Sequence, residues 1–138
     1  MVEIKARAQL IQNFQIALDD GESHGIIVDL PQDLGTNLGP TSLELCVMSH
    51  AGCYATILAL TAKKMRISLK GLIVEVKAIK TEEAGTITEE AFKIRIKADA
   101  PPDRIERLHT LTLENCPVGI IFEKASTKIS YQVETIKD

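Results

Sequence analysis

Three cysteines and a histidine are the residues of this chain whose types and spacing could do chemistry. Cys46, His50 and Cys53 fall at i, i+4 and i+7, and at about 100° per residue a helix would carry all three on one face. Cys116 stands apart, directly before Pro117. Proline suits the first position of a helix, where its missing N–H does no harm, so Cys116 sits where an N-cap would. Free N–H groups and the helix dipole favour an anion there, which predicts a stabilised thiolate and a lowered pKa. Cys53 lies mid-helix, where no dipole helps, and needs a nearby cation or donor. An odd number of cysteines in a reducing compartment points to catalysis or metal binding rather than to a disulfide scaffold.

Each of these residues also has a plainer reading. Cysteine is among the most buried residue types and commonly just fills space, and a histidine is more often a core or surface residue than a ligand. Cys46, His50, Cys53 and Cys116 are enough ligands for tetrahedral zinc. However, Cys46 and Cys53 would be about 10.5 Å apart along one helix, while two thiolates on one zinc each lie about 2.3 Å from it. No metal site and no cofactor are therefore expected.

The elements that must position these groups follow from periodicity. Val2 to Leu10 alternates apolar and polar residues, as a half-buried strand does. Gln12 and Asn13 turn the chain into a second strand, Phe14 to Leu18. Asp19, Asp20 and Gly21 make another turn, and Gly25 to Leu30 reads as a third strand. Thr41 and Glu44 match a capping box at the head of a helix running to about Lys64, roughly 23 residues or 35 Å long. Apolar residues lie on nearly every side of it, so it should be buried on several faces, and a second chain is a natural source of cover. Ala51, Gly52, Ala55 and Ala59 keep it slim around Cys53. A helical glycine costs about 1 kcal/mol relative to alanine, which predicts close approach of another backbone at Gly52. If the Pro117 helix is what approaches, it carries Cys116 towards Cys53.

Strands at Gly71 to Ile79 and Phe92 to Ile96 flank a polar turn, Thr81 to Thr88. A helix from Pro101 has Ile105, Leu108, Leu111 and Leu113 as its apolar side and stops at Asn115-Cys116-Pro117. A short helix with Val118, Ile120, Ile121 and Phe122 follows, and Ile129, Tyr131 and Val133 form a last strand. Three strands, a long helix, two strands, two helices and a strand make an α+β pattern, organised as one domain over residues 1–138. His24 falls in a turn, His109 on a solvated helix face, and Glu82, Glu83, Glu89 and Glu90 on a solvated hairpin.

Composition narrows the function. A formal net charge of -3, no Trp and 4% aromatic residues argue against nucleic acid, which needs clustered Lys and Arg or stacking platforms. No signal-peptide apolar region follows the first ten residues, so a cytoplasmic location is expected. The stretch Ala51 to Ala62 reads as too short and interrupted to cross a bilayer, and no membrane partner is expected.

The motifs around the two distal cysteines resemble a known family. Gly39, Pro40, Thr41, Ser42, Leu43, Glu44 and Leu45, followed by His50, Ala51, Gly52 and Cys53, resemble the signature helix of OsmC/Ohr proteins. Asn115, Cys116, Pro117 and Val118 resemble the family's second signature, and the similarity covers nearly the whole chain. The resemblance implies an OsmC-like α+β fold, with antiparallel sheets around a long central helix in an intertwined homodimer whose sites form at the subunit interface. It also implies thiol-dependent reduction of organic hydroperoxides in oxidative or osmotic stress defence. On that reading Cys53 is the attacking cysteine and Cys116 the resolving one, joined as a disulfide that an external dithiol reductant reopens. Candidate supporting residues are Glu44, His50 and Arg7.

Two departures mark the sequence as closer to the family's less characterised branch. The peroxidase glutamate position, ten residues before the attacking cysteine, is Leu43 here; Glu44 is one residue on, about 100° around the helix, with a capping role of its own. The hairpin segment Leu10 to Phe14, where peroxidase members carry an arginine, has none. The alternative is therefore a module that binds a small apolar ligand without turnover. Cys46 has no family role.

Overall fold

The elements are set by local chemistry that recurs at each chain reversal. In the computed structural model, which describes residues 1–125, 128, 130 and 132, β1 (Arg7–Gln12), β2 (Gln15–Asp19) and β3 (Gly25–Val28) form an antiparallel sheet in the order β1-β2-β3. β1 pairs from Arg7↔Asp19 to Gln12↔Gln15, with a bulge between Leu10 and Gln12. The β1–β2 turn is built on Asn13 at φ 50°, a left-handed conformation that asparagine tolerates. The strand expected from Val2 begins instead at Arg7, because β2 supplies partners only as far as Asp19. Val2 and Ile4 are consequently exposed.

A loop then leads to α1 (Ser42–Lys64). Buried Asp29 organises it, accepting from the backbone N–H of Leu30, Thr36 and Leu38 and from the Thr36 hydroxyl at 2.6 Å. The Gln15 amide donates to the same hydroxyl oxygen at 2.8 Å, tying β2 to the loop. Gly39 lies so close to Ile27 that any Cβ there would collide with its carbonyl oxygen. The capping box forms: Glu44 N–H donates to Thr41 Oγ1 at 3.1 Å, and Thr41 N–H to Glu44 Oε1 at 3.0 Å. α1 ends in a Schellman motif, with Ile67 N–H bonded to Ala62 O, Arg66 N–H to Lys63 O, and Arg66 left-handed at φ 57°.

β4 (Ser68–Thr81) and β5 (Thr86–Asp99) form a two-stranded hairpin closed by Gly85 at φ 67°. Both are longer than expected, since their alternation continues through Lys and Thr positions that read as polar turn. α2 (Pro102–Asn115) and α3 (Pro117–Lys124) meet at Cys116. The buried side of α2 is Leu108 and Thr112, flanked by half-buried Ile105 and His109; Leu113, expected inside, is half exposed. The last expected strand, Ile129 to Val133, lies outside the described residues.

The chain divides into two compact units, Met1–Gly52 with Val74–Ile94, and Cys53–Ile73 with the chain from Arg95 on. The second has a small core of Tyr54, Leu58, Ala62, Ile67, Leu108 and Cys116, each 5% exposed or less. α1 passes through both units. By length and composition alone α1, of which the stretch Ala51 to Ala62 is part, is long and apolar enough to cross a membrane, with mean hydropathy 1.5 over an 18-residue window. Only 17% of that window is buried within the chain. The expectation of burial on several faces is therefore not met by one chain, and Met48 and Leu60 are more than half exposed.

Candidate functional site

Cys53, on α1, and Cys116, between α2 and α3, lie near each other within the second unit, close enough for the Cys53 thiol to act on that of Cys116. Cys53 is half-buried and Cys116 buried at 2% exposure. The helices explain the meeting. On α2 and its continuation, Ile105, Leu108, Thr112 and Cys116 follow one another at helical spacing down a single stripe, and Leu108 and Thr112 have no exposed surface. Thr112 is satisfied there by donating to Leu108 O at 2.7 Å.

Cys116 occupies the N-cap position expected of it, but its pKa moves the opposite way, up instead of down. Burial is the largest cause, because it disfavours the thiolate. The N–H groups of Gly119 and Val118 face the sulfur and favour the anion, without closing a capping hydrogen bond. The Cys53 thiol adds to the upward shift, so desolvation and the neighbouring sulfur outweigh the helix terminus.

Beside the sulfurs lies a polar pair that the sequence did not disclose. Tyr54, 1% exposed, holds its hydroxyl 2.5 Å from His109 Nδ1. His109 is thus half-buried and bonded rather than solvated. Its signal was present in the spacing, since it falls four residues after Ile105 and beside Leu108. Burial, and then the charge of Cys116, push the Tyr54 hydroxyl up to about 12.

The three supporting candidates have other partners, all within the first unit. Glu44 caps α1 and its carboxyl is lowered by that bond to Thr41. Arg7 Nε donates to Asp19 Oδ2 at 3.2 Å across the exposed first hairpin. His50 Nδ1 lies 2.8 Å from Glu90 Oε1, against the edge of Phe92 at 4.7 Å between ring centroids. Glu90 therefore leaves the solvated hairpin to which its charge assigned it; it shares the inward parity of Phe92 and Ile94 on β5. Among the described residues nothing lies within 4 Å of where a Cβ on Gly52 would stand, so they do not supply the expected close backbone. Cys46 is exposed and unbridged. Among the described residues no three metal-ligating side chains gather. A cavity of about 370 Å³ in the first unit is lined by Leu43, Val47, Met48, Ala78, Ile87 and Lys80.

Antiparallel sheets and three helices among the described residues define an α+β protein. The family model for OsmC-like protein matches residues 35–132, and the chain belongs to that family. No protein of curated function matches the sequence. The fold is similar to an OsmC-like protein from Mycoplasma pneumoniae, at TM-score 0.80 and 16% identity over 88% of each chain. It is also similar to a Psychrobacter arcticus protein described as a putative osmotic stress induced and detoxification response protein, at TM-score 0.75 and 20% identity over 87% of this chain and 88% of that one. The organic hydroperoxide resistance protein OhrB of Bacillus subtilis aligns at TM-score 0.57 and 20% identity over 90% of each.

Proposed function

We propose that this protein is a cytoplasmic, homodimeric thiol peroxidase that reduces organic hydroperoxides in oxidative or osmotic stress defence. The nearness of Cys53 to Cys116, which lets one thiol act on the other, supports the reading. The Cys53 thiolate attacks the terminal oxygen of ROOH; the O–O bond breaks, ROH leaves after protonation, and Cys53 becomes a sulfenic acid. The Cys116 sulfur then attacks Cys53, the hydroxyl leaves as water with the Cys116 proton, and the disulfide closes. An external dithiol returns two electrons and two protons. Exposure supports this order of roles: half-buried Cys53 can meet a substrate, whereas buried Cys116 meets Cys53. Burial raises the Cys116 pKa and so favours its protonated, less nucleophilic form. A second copy covering the exposed apolar residues of α1, such as Met48 and Leu60, accounts for the uncovered surface.

Treating reduced protein with cumene hydroperoxide and mapping thiols by mass spectrometry tests the reading. A Cys53–Cys116 disulfide is expected, with Cys116→Ser halting at the sulfenic acid and Cys53→Ser unreactive; intact thiols throughout would end it. The cavity beside Leu43 and Val47 favours a second reading, a binder of small apolar ligands. Ligand retained in native mass spectra with inert cysteines would select it.

A further inference from the structure

We propose that the Tyr54–His109 hydrogen bond is a positioning device for the thiol pair, holding the helix that carries Cys53 against the helix that ends at Cys116 and so setting how readily the two sulfurs join. This rests on the peroxidase reading only for its place in turnover; the geometry itself needs no substrate.

Tyr54 directly follows Cys53 on α1, so holding its ring in place helps to hold that turn of the helix. His109 stands seven residues before Cys116 on the same buried stripe, about two turns of helix. The bond joins residues 55 apart in sequence. With ring centroids 5.8 Å apart at 50°, the rings are tilted and meet through their polar atoms, which fixes direction as well as distance. Another polar tie, Arg104 to Met65 O at 2.5 Å, acts just past the far end of α1. The Tyr54 hydroxyl is buried and keeps its proton, and so its ability to donate, up to about pH 12.

Joining two sulfurs is acutely sensitive to such placement, because disulfide geometry is narrow and small misplacements cost up to about 100-fold. The test is redox equilibration of the full chain with oxidised and reduced dithiothreitol. The protein dithiol gives two electrons and two protons to the cyclic disulfide reagent, and the Cys53–Cys116 fraction is read by mass spectrometry. Tyr54→Phe and His109→Leu should each lower the equilibrium constant about tenfold, or about 30 mV for this two-electron couple. His109→Gln, which keeps an acceptor for the hydroxyl, should stay within about twofold of the parent. Arg104→Met, which cuts the distant tie, should do likewise.

In peroxide stopped-flow, disulfide closure should slow relative to sulfenic acid formation in Tyr54→Phe, leaving more Cys53 trapped as sulfinic acid. Unchanged equilibria in Tyr54→Phe and His109→Leu, or an equal shift in Arg104→Met, would overturn the inference. No oxidation of Cys53 by peroxide would instead sink the peroxidase reading while leaving the equilibrium result standing.

Discussion

His50 and Glu90 form a nearly buried pair, Nδ1 to Oε1 at 2.8 Å, with side chains 13% and 10% exposed. Glu90 Oε2 is buried beside it with no hydrogen-bond partner among the described residues. Removing one member of such a pair strands the other. His50→Ala should therefore destabilise by about 3 kcal/mol. Glu90→Gln keeps the shape, can still bond the imidazole, and should cost about 1 kcal/mol or less. Urea unfolding midpoints at constant slope check both; equal losses would show that the carboxylate charge, not its shape or hydrogen bond, carries the pair.

Asp29 gives the fold an acid sensitivity. Its hydrogen bond from Thr36, then those from the Leu38, Leu30 and Thr36 N–H groups, hold its carboxyl below the ordinary 3.8 despite burial. A carboxyl lowered in the native state contributes stability that is present above its unfolded pKa and lost as pH falls through the native one. Stability should thus decline below about pH 4, and Asp29→Asn should flatten that decline. Unfolding followed across pH 2 to 6 measures it.

Tyr54 should show the opposite sign. The native state holds its proton to about pH 12 while the unfolded chain releases it near 10, so this contribution is whole below pH 10 and erodes as pH rises towards 12. Phenolate absorbance of the folded protein, which has two tyrosines, should show one component near 12 that Tyr54→Phe removes.

Thiol labelling should follow burial. Cys46 is exposed, Cys53 half-buried and Cys116 buried with a raised pKa, so iodoacetamide should modify them in that order, Cys116 only on unfolding. Peptide mapping of a labelling time course would show it.

The uncovered flank of α1 gives a prediction for assembly. Met48→Glu puts a charge on an exposed apolar position and should weaken the proposed dimer at least about tenfold, by burial of an unpaired charge. Sedimentation equilibrium measures this; a parent chain that is monomeric at every concentration removes the dimer from the proposal.

The parts of this fold that are written locally were legible in the sequence. Thr41 and Glu44 announced the head of α1, the polar turn Thr81 to Thr88 the hairpin, and Pro117 the break between α2 and α3, because each acts within a few residues of itself. What was missed depends on partners far along the chain. Glu90 looks solvated until β5 is extended back two residues from Phe92, when parity turns it inward to a histidine 40 positions away. His109 is polar, so a reading that ranks residues by hydropathy passes over it, although its place in the stripe is correct. The direction of the Cys116 shift was misread for a related reason: a helix terminus is visible in sequence, but the burial that overrides it is not.

Cys116 closes one helix and opens the next, so its sulfur belongs to neither alone. Anything that frays the segment beginning at Pro117 must loosen the sulfur's grip on its neighbour, and by reciprocity a bridge formed at this joint must stiffen that segment. The oxidation state of one bond and the mechanical order of the final helix are thereby two readings of a single equilibrium.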